Sequence, residues 1–221
     1  MKTLHVPCYS LSDPLPLLRE NMGVLGDYPS IGIVSTAQHL DRIPAVRELL
    51  ESNGKQVFDA GQILGCRRDN ARGLYSTVDC FLYVGSGRFH PLGIAIESDR
   101  PVFILNPLSG VMDEVSGEEK RRWLKRRKTR FGRAAGARVF GVLVSTKDGQ
   151  FNIARAFEVT GMLKSRGFKA FIFSGDELTP NSLLPFPVDC WVNTACTRLV
   201  DDEFDKPVVN PDELKEIFSL N

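Results

Sequence analysis

The sequence predicts an α/β protein made of two similar domains, each with a small parallel sheet flanked by helices, joined by a basic helix. Three observations carry that prediction. Compact apolar runs alternate with segments of helical spacing, the pattern of buried parallel strands and their crossover helices. The second half repeats the first: Val78-Asp79-Cys80-Phe81-Leu82 returns as Val188-Asp189-Cys190-Trp191-Val192, and Arg100-Pro101-Val102-Phe103-Ile104-Leu105-Asn106-Pro107 as Lys206-Pro207-Val208-Val209-Asn210-Pro211. A lysine- and arginine-rich stretch, Glu118 to Arg133, separates the two halves.

Each element follows in order. Leu4-His5-Val6-Pro7 reads as a short strand, an additional apolar segment at the start of the first repeat. Ile31 to Thr36 is a buried strand ending in hydroxyls. Leu40 to Asn53 has helical spacing (Leu40, Ile43, Val46, Leu49, Leu50) and is stopped by Gly54. Lys55–Phe58 and Cys80–Val84 are the next strands, and Pro101–Leu105 closes the first half. In the second half, Gly141–Thr146 matches the Ile31 strand. Ala154–Arg166 is a helix ended by Gly167, Phe168–Phe173 is a strand, and Asp212–Leu220 is a closing helix with Leu214, Ile217 and Phe218 on its apolar side. The predicted boundaries are 1–112 for the first α/β domain, 113–136 for the basic helical connector and 137–221 for the second.

The totals bound the class. A chain of 221 residues accommodates two domains of about 100 residues each. A net charge of +1 names no partner by bulk electrostatics. No apolar run is long enough to span a bilayer, and no basic-then-apolar leader follows Met1, so a soluble, cytoplasmic protein is expected. Five cysteines, an odd number, argue for reduced thiols rather than a disulfide scaffold.

Cys80 and Cys190 begin apolar strands at matching positions and read as core residues. Cys66 and Cys196 differ: one ends Gly61-Gln62-Ile63-Leu64-Gly65-Cys66, the other Val192-Asn193-Thr194-Ala195-Cys196, and arginines follow both. Nearby arginine favours the thiolate, the form that binds metal. There is no CxxC and no ferredoxin spacing, so a cluster held here must be assembled from distant loops. Gln38-His39 and Lys147 to Gln150 follow the two Ser-Thr strand ends, at equivalent points of the repeats. Gly85-Ser86-Gly87 follows a strand and leads to His90; its backbone N–H groups suit an anion or cofactor, or simply form a tight turn. The basic run Lys120–Lys128 suggests nucleic acid less strongly than a solvated helix face, for no series of stacking aromatics accompanies it.

Six ordered segments together resemble the diphthamide synthase family. They are His5-Val6-Pro7-Cys8-Tyr9-Ser10, Val34 to Leu40, Gly61 to Cys66, Gly87 to Gly93, Val144 to Gln150, and Thr194 to Arg198 with Asp201-Asp202 behind it. The match covers the family's second and third domains only. The resemblance implies a 2-(3-amino-3-carboxypropyl)histidine synthase, a transferase of diphthamide biosynthesis. In that family three similar domains each give one cysteine to a 4Fe-4S cluster. The cluster cleaves S-adenosylmethionine reductively, and the resulting 3-amino-3-carboxypropyl radical attacks a histidine of elongation factor 2. Carried over by motif, Cys66 and Cys196 are metal ligands. Gln38, His39, His90, Lys147, Gln150 and Arg198 line the cofactor site, with Arg198 or Lys147 pairing the methionine carboxylate and His90 donating a hydrogen bond. No residue is assigned as catalytic, because the chemistry belongs to the cofactor.

Two functional expectations follow from the missing first family domain. One is an enzyme impaired by that loss; the other is a non-catalytic short homologue acting as a binding or scaffold subunit. Met1 directly before a predicted strand favours a short natural homologue over a fragment. The expected partners are elongation factor 2 as protein substrate, and a second copy in a homodimer or a full-length relative. Neither a membrane nor a nucleic acid is expected.

Overall fold

The computed structural model describes residues 4, 6, 8–64 and 68–219, with nothing described of the Ser219 side chain. The chain divides into two compact units, Met1–Arg121 and Arg122–Asn221.

The first unit is built on a five-stranded sheet. Its strands are β1 (Ser30–Ser35), β2 (Gln56–Gln62), β3 (Cys80–Val84), β4 (Val102–Asn106) and β5 (Val111–Glu114), in the order β2-β1-β3-β4-β5. The first four are parallel, and β5 pairs antiparallel with β4 at the edge. Four α-helices accompany them: α1 (Leu15–Glu20), α2 (Ile43–Ser52), α3 (Asp69–Arg72) and α4 (Phe89–Ser98). Both faces of the sheet are covered. Ile31, Ile33, Cys80 and Leu82 pack with Leu18, Ile43, Val46 and Leu50 on one face. Val34, Phe81 and Tyr83 pack with Ala71, Ile94 and Ala95 on the other. Burial on both sides is why these strands read as continuous apolar runs rather than as alternating ones.

The second unit repeats this plan with four parallel strands. They are β6 (Val139–Ser145), β7 (Lys169–Gly175), β8 (Cys190–Asn193) and β9 (Val208–Val209), in the order β7-β6-β8-β9. The helix α5 (Gly117–Ala135) crosses the boundary between the units; α6 (Ile153–Ser165), α7 (Pro180–Leu183) and α8 (Pro211–Ser219) belong to the second. The repeated sequence now has physical causes. Asp79 accepts hydrogen bonds from the backbone and hydroxyl of Ser30, at 2.9 and 2.5 Å, and so ties β3 to the start of β1. Asp189 does the same at β6 through the Arg138 and Val139 amides, at 2.9 and 2.8 Å. Gly32 leaves room for the Phe81 ring, which a Cβ would meet at 2.7 Å, and Gly141 makes the same room for the Trp191 ring.

Several boundaries differ from the sequence expectation. The helix expected from Leu40 is a 3-10 segment over Ala37–Arg42, with α2 starting only at Ile43. Pro44 explains the change, because its missing N–H and fixed φ suit the first turn of an α-helix. The segment after Gly87 is the ten-residue helix α4, and β5 is an extra edge strand; neither was anticipated. The Leu4–Pro7 strand lies partly outside the described residues, and the described Leu4 and Val6 belong to no strand.

Three arginines of the basic helix, all in its second-unit part, are engaged within that unit. Arg127 pairs with Glu216 at 2.8 Å and Glu213 at 3.3 Å, and Arg130 pairs with Glu213 at 2.8 Å. Arg133 donates to the Asp205 carbonyl. The bonds of Arg127 and Arg130 dock α8 onto α5. Among the described residues, no helix is long and apolar enough to cross a membrane.

Candidate functional site

In open parallel sheets, ligands bind outside the carboxyl ends of the strands, where the strand order reverses. Each sheet here has such a point, between β1 and β3 in the first unit and between β6 and β8 in the second.

In the second unit the loop after β8 carries Cys196, an exposed free cysteine. It sits on a cavity of about 280 Å³ whose lining includes Ser145, Lys147, Gln150, Asp176, Glu177 and Cys196. The structure therefore brings Lys147 and Gln150, predicted from the loop after β6, to the same cavity as Cys196. Arg198 lies exposed in the 3-10 helix Thr197–Asp201, outside that lining.

Asn193 holds the Cys196 loop, and sequence reasoning had not singled it out. Its side chain is 1% exposed. It donates to the Cys196 carbonyl at 2.8 Å and to Asn210 Oδ1 at 2.9 Å, and accepts from the Ala195 amide at 3.0 Å. Thr194 adds a second tie: its hydroxyl and its amide both donate to the Leu143 carbonyl of β6, at 2.7 and 3.1 Å. The backbone on both sides of Cys196 is thus fixed by buried polar groups, while the thiol stays accessible. Asp176 and Glu177, which place carboxylates on the same cavity, were likewise missed. Their only sequence signal is their position directly after β7.

In the first unit, Ser35 ties β1 to β3 at the equivalent edge, donating to the Val84 carbonyl at 2.8 Å. Gln38 is exposed, and its carbonyl accepts from the Ser10 amide at 2.7 Å, which seats the segment carrying Cys8 against the end of β1. His39 is fully enclosed, and neither ring nitrogen has a hydrogen-bond partner among the described residues. Burial holds its pKa below the usual imidazole value, against the opposing pull of Asp41. His90 is half-buried at the start of α4, its ring 6.1 Å from that of Tyr83. Gly85 lets the chain pass the Tyr83 hydroxyl, which a Cβ would approach to 2.7 Å, and that hydroxyl donates to the Ser86 carbonyl at 2.9 Å. Arg88, between Gly87 and His90, is taken up by Asp113 and Glu119, which anchor the start of α4 to β5 and α5.

The cysteines separate clearly. Cys80 and Cys190 are fully buried, and burial pushes the Cys80 thiol up to about 12 and the Cys190 thiol higher. Both are therefore protonated core residues, as their positions in apolar strands implied. Cys8 and Cys196 are exposed. Cys66, the other expected ligand, lies outside the described residues. Among the described residues, no group of three or more His, Cys, Asp or Glu side chains is gathered to hold a metal ion.

The family model for diphthamide synthesis proteins matches residues 1–220. The 2-(3-amino-3-carboxypropyl)histidine synthases of Pyrococcus horikoshii and Methanocaldococcus jannaschii are each 30% identical, over 99% and 97% of this chain. The chain spans 66% and 62% of the length of those two relatives. The crystal structure of Dph2 from Pyrococcus horikoshii superposes with a TM-score of 0.84 at 29% identity, covering 96% of this chain and 64% of the other. The same values hold for Dph2 with a 4Fe-4S cluster. With its motifs in order, its fold shared and its sequence matched nearly end to end, the chain belongs to the diphthamide synthesis protein family.

Proposed function

We propose that this chain works in diphthamide biosynthesis as an iron–sulfur, S-adenosylmethionine-dependent 3-amino-3-carboxypropyl transferase acting on a histidine of elongation factor 2. In this reading the first unit corresponds to the family's middle domain and the second to its last. One observation carries the proposal. A single cavity is lined by Cys196, whose thiol is accessible, together with Lys147, Gln150, Asp176 and Glu177.

The residues fit the cofactors. Thiolates are the usual ligands of iron–sulfur clusters. Cys196 is exposed on a loop fixed by Asn193, whereas the buried, protonated Cys80 and Cys190 are unsuited to that task. Cys196 is the described residue proposed as a cluster ligand, and Cys66, outside the described residues, is the other proposed one; when bound, the cluster would supply the electron for reductive cleavage of the sulfonium. The amino-acid moiety of S-adenosylmethionine is a zwitterion. Lys147 offers an ammonium to its carboxylate, and Asp176 or Glu177 a carboxylate to its ammonium, both through charge-assisted hydrogen bonds. Gln150 can donate to or accept from either group. The task of these side chains is to orient the substrate so that one C–S bond meets the electron donor. Gln38, His39 and His90 in the first unit, and Arg198 in the second, remain proposed cofactor-site residues.

The test is anaerobic reconstitution with iron and sulfide, followed by reduction in the presence of S-adenosylmethionine and elongation factor 2. The proposal expects cleavage of S-adenosylmethionine and a modified histidine, both reduced by Lys147→Ala. A reconstituted protein that cleaves nothing, yet binds a full-length relative, would instead mark a binding or scaffold subunit.

A further inference from the structure

The proposed transfer reaction uses neither the basic run of α5 nor the Asp201-Asp202 pair that follows the Cys196 loop. The fold of the second unit brings the two together. They line a cavity of about 370 Å³ between α5, from Trp123 to Arg133, and residues 200–208, which run into β9. This cavity shares no lining residue with the one at Cys196: in the 3-10 helix Thr197–Asp201, Leu199 lines the Cys196 cavity, whereas Val200 and Asp201 line this one.

The walls are fixed by the protein's own bonds. The Arg130 side chain is 13% exposed. It donates to the Val200 carbonyl at 3.2 Å and to Glu213 at 2.8 Å. Arg133 donates to the Asp205 carbonyl, and Lys206 to the Phe186 carbonyl at 2.8 Å. Arg130 and Arg133 thus hold the 200–208 segment against α5, and a cavity formed in advance costs less ordering when a ligand enters. Lys125 and Arg126 are exposed and line the same cavity. Half-buried Trp123 hydrogen-bonds to Asp201, whose carboxylate also feels the charges of Arg130 and Arg126.

An indole, two exposed cations and a carboxylate in one cavity match the parts of a nucleoside phosphate. A planar base stacks on an aromatic face. Guanidinium and ammonium groups pair with phosphate, and a carboxylate accepts hydrogen bonds from sugar hydroxyls. A continuous nucleic-acid backbone fits less well, because Asp201, Asp202 and Glu203 set negative charge among the cations and would repel successive phosphates. We propose that this cavity of the second unit binds a nucleoside phosphate, with Lys125 and Arg126 on the phosphate, Trp123 against the base and Asp201 on the sugar hydroxyls. The site is independent of any cluster at Cys196.

Equilibrium dialysis of the full chain with labelled ADP, without iron, tests the proposal. Wild type should bind a single ADP per chain saturably. Adenosine and pyrophosphate each lack one half of the ligand and should bind about tenfold more weakly or worse. Arg126→Ala, at an exposed position, should weaken ADP by about tenfold. Trp123→Ala should weaken ADP by about fivefold or more and leave pyrophosphate unchanged. Should Trp123→Ala fail to fold, Arg126→Ala and the comparison of ADP with pyrophosphate decide the matter. Lys147→Ala, in the Cys196 cavity, should bind ADP as wild type does. Absence of saturable ADP binding overturns the proposal, and so does ADP binding untouched by Arg126→Ala. Loss of ADP in Lys147→Ala would put the nucleotide in the Cys196 cavity and overturn it as well. Equal affinity for ADP and pyrophosphate would leave a plain anion site, and a single-stranded RNA bound far more tightly than ADP would make this face a nucleic-acid surface; either result overturns the assignment.

Discussion

Replacing Asn193 by alanine tests whether the Cys196 loop is preset by the fold. The side chain is buried and makes three hydrogen bonds: to the Cys196 carbonyl, to Asn210 and from the Ala195 amide. A typical buried hydrogen bond contributes about 1 kcal/mol net, and each partner left unsatisfied costs about 1–3 kcal/mol. Part of that cost is recovered if water enters from the adjacent cavity, so a loss of about 2–4 kcal/mol is expected. For a unit of this size, that lowers the melting temperature by roughly 10 °C or more. Scanning calorimetry measures the loss, and alkylation of Cys196 reports the loop itself. Asn193→Asp keeps an acceptor for Ala195 but turns an oxygen toward the Cys196 carbonyl, so it should also loosen the loop. Unchanged melting together with an unchanged Cys196 alkylation rate in Asn193→Ala would refute the reasoning.

The remaining predictions concern the scaffold. Hydrogen bonding to Arg88 holds the Glu119 carboxyl down at about 2, well below its ordinary value of 4.5. A depressed carboxylate stabilises the fold above its ordinary pKa and loses that contribution as the pH falls toward the folded value. The melting-temperature gap between wild type and Glu119→Gln should therefore be full above about pH 5 and close as the pH falls toward about 2; a gap constant across that window would contradict the pairing. Gly141→Ala drives a methyl into the Trp191 ring and should cost about 1–3 kcal/mol. Gly132→Ala in α5 meets nothing within 4 Å and should stabilise by about 0.5–1 kcal/mol in the same denaturation assay. Equal effects would show that Gly141 does not make room for the ring.

What the sequence revealed follows from where its signal is strong. The central strands β1, β3, β6 and β8 were legible because both faces are buried and their residues are almost uniformly apolar. The twofold repeat was legible because Asp79/Asp189 and Pro101/Pro207 fall at matching points. Helix α4 was not, since Gly87, Pro91 and Gly93 imitate a loop until Pro91 is seen in the first turn and Gly93 against Arg68. Strand β5 escaped because its side chains are mostly exposed and carry no apolar alternation. Around the cavity, Lys147, Gln150 and Cys196 were predicted from strand-end positions. Asn193 looked like ordinary loop polarity, and only the positions of Asn210 and the Cys196 carbonyl show it to be a buried support. Asp176 and Glu177 belong to the cavity because β7 lies beside β6, a neighbourhood set by topology rather than by local pattern.

The most direct measurement is the iron and acid-labile sulfide bound after anaerobic reconstitution of wild type and of four single alanine variants, at Cys66, Cys196, Cys80 and Cys190. The account predicts a cluster in wild type, its loss in Cys66→Ala and Cys196→Ala, and its retention in folded Cys80→Ala and Cys190→Ala. Equal iron in Cys196→Ala and wild type would contradict it.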